Sequence, residues 1–216
     1  QYHTYDRFLE LAHSNKEYTY EEAKELFFHS ISQFPQDFQD KAHEVLRDGF
    51  VDVMEKVGKR TGAYSSSVAN LHPFILLNFD HTLDSVFTVA HEAGHSIHSM
   101  YATQTQPTML QDYTIFVAEI ASTFNEHTLL DYFLSLPDAT KEEKIMVIQK
   151  AIDEIMSTFY RQTLFAEYEY LANHEVAKGN PINHQVLSQI MIDLYKKYYG
   201  LDITKEEVKQ YVWAYI

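Results

Sequence analysis

The stretch FTVAHEAGHSIHS, Phe87 to Ser99, sets His91 and His95 four residues apart with Glu92 beside the first. On an α-helix of about 3.6 residues per turn, an i, i+4 pair stands on one face, so both imidazoles can grip a single metal ion. Glu92 falls about 100° round the axis, beside such a metal but off it. That offset suits a general base, which takes a proton from water without occupying a coordination position. A single His on a half-buried helix is usually a hydrogen-bonded core residue; two at this spacing with an intervening Glu favour metal chemistry.

A catalytic zinc ordinarily takes three protein ligands and keeps a fourth position for water. The sequence contains no cysteine, so the third ligand must be His or carboxylate. The segment DYTIFVAEIASTFNEH offers Glu119 and Glu126, seven residues apart and so on nearly the same helical face. Glu119 is embedded among Phe116, Val117, Ala118, Ile120 and Ala121, where a buried carboxylate would need a cation. A metal would supply one. Glu126, between Asn125 and His127, reads as a polar group at the end of the core or as an outer partner that orients a ligand. His98 shares the face of His91 and reads as an outer or structural residue.

Helices must position these groups. Leu83, Val86, Phe87, Ala90, Ala93, Gly94, Ile97 and Met100 recur at helical spacing after Thr82, which can cap, so HEAGH lies inside a helix. Gly94 leaves room there for another element to approach closely. Further helices are predicted from about Gln111 to Leu134, from about Thr140 to Lys178 with Gly179-Asn180-Pro181 as its stop, and from about His184 to Tyr199 ended by Gly200. A last one begins near Thr204.

Upstream, Thr19-Tyr20-Glu21-Glu22 is a capping-box start for a helix through about Phe34, Pro35 interrupts, and QDFQDKAHEVLRD resumes the pattern up to Gly49. The first sixty residues thus read as helices. GKRTGAYSSS reads as a turn or mobile loop, and the apolar run Pro73 to Phe79 as the one strand of note, the two forming either a structural hairpin or an edge strand with a flap that holds an extended peptide. The fold class is therefore mainly α, with a small strand or hairpin element near residues 62–79.

With 216 residues, 45% of them hydrophobic, the chain can bury a substantial core. Its formal net charge of -14 repels nucleic acid and anionic membranes. No signal-like or long apolar segment is present, which points to a cytoplasmic protein. The opening QYHTYDRF lacks an initiating Met and the closing YVWAYI is aromatic, so residues 1–216 read as a single piece of a larger catalytic domain, cut at both ends.

The runs GAYSSS, HPFILLNFDHTLDSVFTVAHEAGHSIHSMY, YTIFVAEIASTFNE and FYRQTLFAEYEY together closely resemble the catalytic region of oligoendopeptidase F, in the thimet-oligopeptidase-like group of zinc metallopeptidases. The resemblance implies a helical zincin-type domain and one zinc per chain bound by His91, His95 and Glu119, with Glu92 as general base. The 28-residue step from His91 to Glu119 agrees with it. It further implies a channel that admits short unstructured peptides, and peptide turnover in the cytoplasm. Two departures stand out. SVANLHP lacks a glycine expected after GAYSSS, and the family's His- and Tyr-rich substrate block normally follows a segment like KQYVWAYI, where this sequence closes. Metal binding with weak cleavage is the resulting expectation for these residues alone.

Two other classes stay open. The sequence could be a non-enzymatic helical module that binds peptides or serves as a scaffold, although an intact Glu92 has no purpose there. It could equally be a metallocarboxypeptidase of similar build. Substrate-binding residues and oligomeric state are not legible. Arg161 is expected to pair with Glu167 or another carboxylate.

Overall fold

The structure, a computed structural model, describes residue 9 and residues 16–68, 70–206 and 208–216. The opening stretch, which carried part of the helical expectation and of the expected cut end, lies outside the described residues apart from Leu9. Backbone contacts divide the chain into two compact units, residues 12–147 and residues 1–11 with 148–216. No helix among the described residues is long and apolar enough to cross a membrane.

The unit of residues 12–147 opens on α1 (Tyr20–Ser30) and α2 (Gln36–Val45). Thr19 caps α1 reciprocally: its hydroxyl accepts from the Glu22 N–H at 3.2 Å, and Glu22 Oε2 accepts from the Thr19 N–H at 2.7 Å. The helix ends at Ser30 rather than near Phe34. Pro35 disfavours helical geometry at Phe34, which shortens the run.

The expectation of helix through residue sixty fails at β1 (Val51–Met54), a strand whose alternating burial and two valines were too short a signal to read as period two. It pairs in parallel with β3 (Phe74–Phe79), and β2 (Tyr64–Ser66) pairs antiparallel with the other side of β3. The order β1-β3-β2 corrects two points. Pro73 to Phe79 holds the central strand, not the sole one or an edge, and the edge position beside it belongs to the GAYSSS segment. The predicted hairpin over 62–79 is present as β2 and β3. Ile75, Leu77 and Phe79 point to the buried face, which explains the apolar run.

Strand β3 leads into α3 (Leu83–Thr105), the helix that carries HEAGH. Thr82 accepts at its N-terminus from the Ser85 N–H, and Asp80 accepts from the hydroxyls of both Thr82 and Ser85 at 2.6 Å. The core face of α3, with Val86, Phe87, Val89, Ala90, Ala93 and Ile97, is almost wholly excluded from water. Burial on this scale contributes roughly 1.5–3 kcal/mol per large side chain. Helix α4 (Ile115–Ser135) packs along α3, with Phe87 stacked on Phe133 at a ring separation of 5.8 Å. It starts four residues later than predicted, because a short 3-10 turn (Thr108–Leu110) and an extended connection fill the interval.

The division between units falls within α5 (Lys141–Glu154). The long helix predicted over 140–178 is present, but as α5, a π-helical segment (Ile155–Tyr160) and α6 (Arg161–Ala177). The Tyr199 hydroxyl donates to the Met156 carbonyl at 3.3 Å, meeting a backbone acceptor within that segment. Helix α7 (His184–Tyr199) ends as predicted at Gly200, whose φ of 65° is left-handed. Leu164, Tyr168, Met191, Leu194 and Ile203 form this unit's core. The predicted final helix is a 3-10 run (Lys209–Tyr215), held by the Trp213 indole donating to Ser188 Oγ at 3.1 Å. Glu167 takes Lys197 at 2.6 Å and the Tyr198 hydroxyl, while the Arg161 guanidinium lies over the Phe165 ring, so the expected Arg161 pairing with Glu167 is not made.

Candidate metal centre

Helix α3 sets the two imidazoles at the expected height difference, and α4 brings the carboxylate. His91 Nε2 and His95 Nε2 are 3.1 Å apart, and Glu119 Oε2 lies 3.6 Å from the first and 3.8 Å from the second. Tetrahedral zinc with ligands at 2.0–2.2 Å sets its donor atoms about 3.3–3.6 Å from one another. The three observed separations bracket that range within about 0.2 Å, and among the described residues these three form the group of His and carboxylate side chains that could hold a metal ion.

The close approach of the helices rests on Gly94. A Cβ added there would stand 2.8 Å from the Ala121 carbonyl oxygen and 2.9 Å from Ser122 Cα. Asn125, fully buried, donates its amide to the Ala90 carbonyl at 3.2 Å and ties α4 to α3 one turn away. Ser122 donates to Glu119 Oε2 at 2.8 Å, orienting the oxygen nearest the imidazoles.

Glu126 is buried and takes His91 Nδ1 in a short hydrogen bond. This turns His91 so that Nε2 faces Glu119 and His95, which is the role an outer carboxylate gives a ligating imidazole. Burial works to lower the pKa of His91, but the hydrogen bond to Glu126 and the charges of Glu126, Glu92 and Glu119 outweigh it and hold it above the usual value. Burial and the neighbouring His91 hold His95 below its usual value.

Glu92 is buried, and burial pushes its carboxyl up to about 7 against the opposing effects of His91 and a hydrogen bond from the Ser65 N–H. Its Oε2 finds no hydrogen-bond partner among the described residues. Ser65 also meets Ser96 on α3, hydroxyl to hydroxyl at 2.8 Å, so the outer strand β2 is pinned to α3 near Glu92. His98 stacks on Tyr113 at 3.9 Å, and the Tyr113 hydroxyl contacts Ser99 Oγ at 2.7 Å and donates to the His95 carbonyl at 3.4 Å. A cleft of about 440 Å³ opens here, lined by His95, Ser65, Ser99 and Tyr113 among others.

His91, His95 and Glu119 thus meet, with Glu92 next to His91 on α3, yet one reason given for Glu119 is overturned. Phe116 and Ile120 are 81% and 61% exposed and the Glu119 side chain is 38% exposed, so no apolar burial surrounds it. Of its sequence neighbours, Ala118 is buried and the Ala121 carbonyl lies against Gly94, whereas Phe116, three residues back on nearly the same face, is open to solvent. Ser65, Ser96 and Tyr113 carried no sequence signal, because each acts through a contact between distant segments.

Fold and donor set together define a class: a mainly helical protein whose HExxH helix and a carboxylate from the next helix form a candidate mononuclear metal site. The chain belongs to Peptidase family M3, whose model matches residues 4–216. It is 37% identical to oligopeptidase PepF of Bacillus subtilis (strain 168) over 199 residues, which is 92% of this chain and 30% of that protein. To group B oligopeptidase PepB of Streptococcus agalactiae it is 34% identical over 214 residues, 98% of this chain and 35% of the relative. The chain therefore spans about a third of the length of these relatives. The crystal structure of a Chlamydophila abortus chain described as a peptidase superposes with a TM-score of 0.81 at 38% identity, covering 100% of this chain and 37% of that one.

Proposed function

We propose that this chain carries the catalytic groups of a zinc-dependent endopeptidase that hydrolyses short peptides, with His91, His95 and Glu119 as metal ligands and Glu92 as general base. The observation that carries the reading is the convergence of His91 Nε2, His95 Nε2 and Glu119 Oε2 within 3.8 Å. Two imidazoles and a carboxylate without thiolates make a donor set that suits zinc. The oligopeptidase names of the relatives support peptides as substrates.

A zinc ion at these three groups supplies Lewis acidity, polarising the scissile carbonyl and making water acidic enough to lose a proton near neutral pH. Glu92 takes that proton as the oxygen bonds to the carbonyl carbon, and hands it to the nitrogen as the C–N bond breaks, so one water is consumed and an acid and an amine leave. Two features prepare Glu92 for both halves. Burial raises its affinity for a proton toward neutrality, and the Ser65 N–H beside it favours the charged form once the proton leaves. Glu126 holds His91 in the tautomer that presents Nε2. Strand β2 pairs with β3 on one side and is the outer strand on the other, so an extended peptide can add there as a further strand next to Glu92.

The test is hydrolysis of a ten-residue peptide by the zinc-supplied chain and by Glu92→Gln, read by product mass. Internal cuts by the parent, lost in the variant while its metal is retained, are expected. Stepwise loss of single C-terminal residues would make it a carboxypeptidase, and peptide binding without any cleavage would make it a binding module.

A further inference from the structure

The cleft beside the candidate metal centre is chemically lopsided. Among the described residues, Asp112 is the carboxylate in its walls and no Lys or Arg lines it. The Asp112 side chain is exposed and fixed by the Tyr113 N–H, which donates to Oδ1 at 3.1 Å. Next to it, the Gln111 amide donates to the carbonyls of Thr103 at 3.2 Å and Gln106 at 3.1 Å. That leaves Gln111 Oε1 a buried acceptor with no donor among the described residues. Enclosed by the protein, that oxygen is out of reach of a ligand, and Asp112 is the charged acceptor the cleft presents. Val68, Ile115 and Ala118 supply apolar wall in the same cleft, suited to the methylene stem of a long cationic side chain.

We infer that this cleft receives a cationic group of the bound peptide, an ammonium or guanidinium, with Asp112 as its charge partner. The inference rests on the peptide reading above and adds a substrate preference to it. A Lys or Arg side chain and a free amino terminus share the required chemistry. The acidic character of the whole chain, net -14, adds a longer-range attraction of the same sign.

The test is peptide binding to the zinc-supplied Glu92→Gln protein, which keeps the peptide whole. One neutral decapeptide receives a single Lys or, as control, norleucine at each position in turn, and every peptide is made with a free and with an acetylated amino terminus. At one position Lys is expected to bind up to about fivefold more tightly than norleucine, the scale of one exposed ion pair. The ratio should shrink in high salt and fall toward one when Asp112→Asn is added. A loss on acetylation, abolished by the same substitution, would identify the amino terminus as the source. Equal affinities throughout, a preference that survives Asp112→Asn, or no binding by any peptide would each overturn the inference. Cleavage by the zinc-supplied parent is measured in parallel. Peptides bound with the charge preference but never cut would sink the peptidase reading and leave this one standing, and cutting without preference would do the reverse.

Discussion

Gly94 on α3 faces the Ala121 carbonyl oxygen on α4 so closely that a methyl group at Gly94 would stand 2.8 Å from it. The atom in the way is backbone, so no side-chain rotation relieves the clash. The two helices carry the imidazoles and the carboxylate respectively, and the spacing of the candidate metal centre is therefore set by the absence of one side chain.

Gly94→Ala should then weaken zinc binding. The substitution gains up to about 1 kcal/mol of helix propensity. Forcing α3 and α4 apart costs about 1–3 kcal/mol, and the expected balance is a less stable protein with at least about tenfold lower zinc affinity. Thermal unfolding and chelator competition measure the two. Parent-like zinc affinity would show that the helix approach does not govern the site.

Glu126→Ala should act at the metal without touching it. His91 loses the acceptor on Nδ1 that fixes its ring. Removing such an outer partner typically costs about 10–100-fold in metal affinity. Chelator competition on the folded variant reads this directly, and an unchanged affinity would mean that α3 alone orients His91.

A pH signature belongs to Glu92 in the chelator-treated, metal-free protein. Its folded-state pKa of about 7 lies above the ordinary value of roughly 4.3. Between those values the folded chain holds more protons than the unfolded chain, so stability falls as pH rises through the window and levels off above it. Glu92→Gln has no such proton. Its stability relative to the parent should rise between about pH 4.3 and pH 7 by up to about 3 kcal/mol, then stay level. Denaturant midpoints at pH 5, 6, 7 and 8 would show this, and a difference that does not vary with pH would contradict the buried placement of the carboxyl.

How much of this was legible in the sequence depends on how local each signal is. His91, Glu92 and His95 lie within five residues and need only a helix to meet, and Thr82, Gly179 and Gly200 mark helix ends by their own chemistry. Glu119 was found on the correct helix with a faulty reason, since a run of apolar neighbours gives no direction and Phe116 and Ile120 face outward. The strands were the least legible. Three- and four-residue strands such as β2 and β1 exist through pairing with β3 and present too little periodicity of their own. β2 lay within the expected hairpin near 62–79, but without its register nothing pointed to Ser65, whose hydroxyl meets Ser96 only after the sheet has formed.

The central claim is that three residues from two helices bind one zinc. Elemental analysis of the purified, zinc-supplied and dialysed chain beside Glu119→Ala tests it most directly, with circular dichroism to show that both are folded. About one zinc per parent chain and clear loss in the variant are expected, as a site with three protein ligands requires. No metal in the folded parent, or equal zinc in both, would contradict the account.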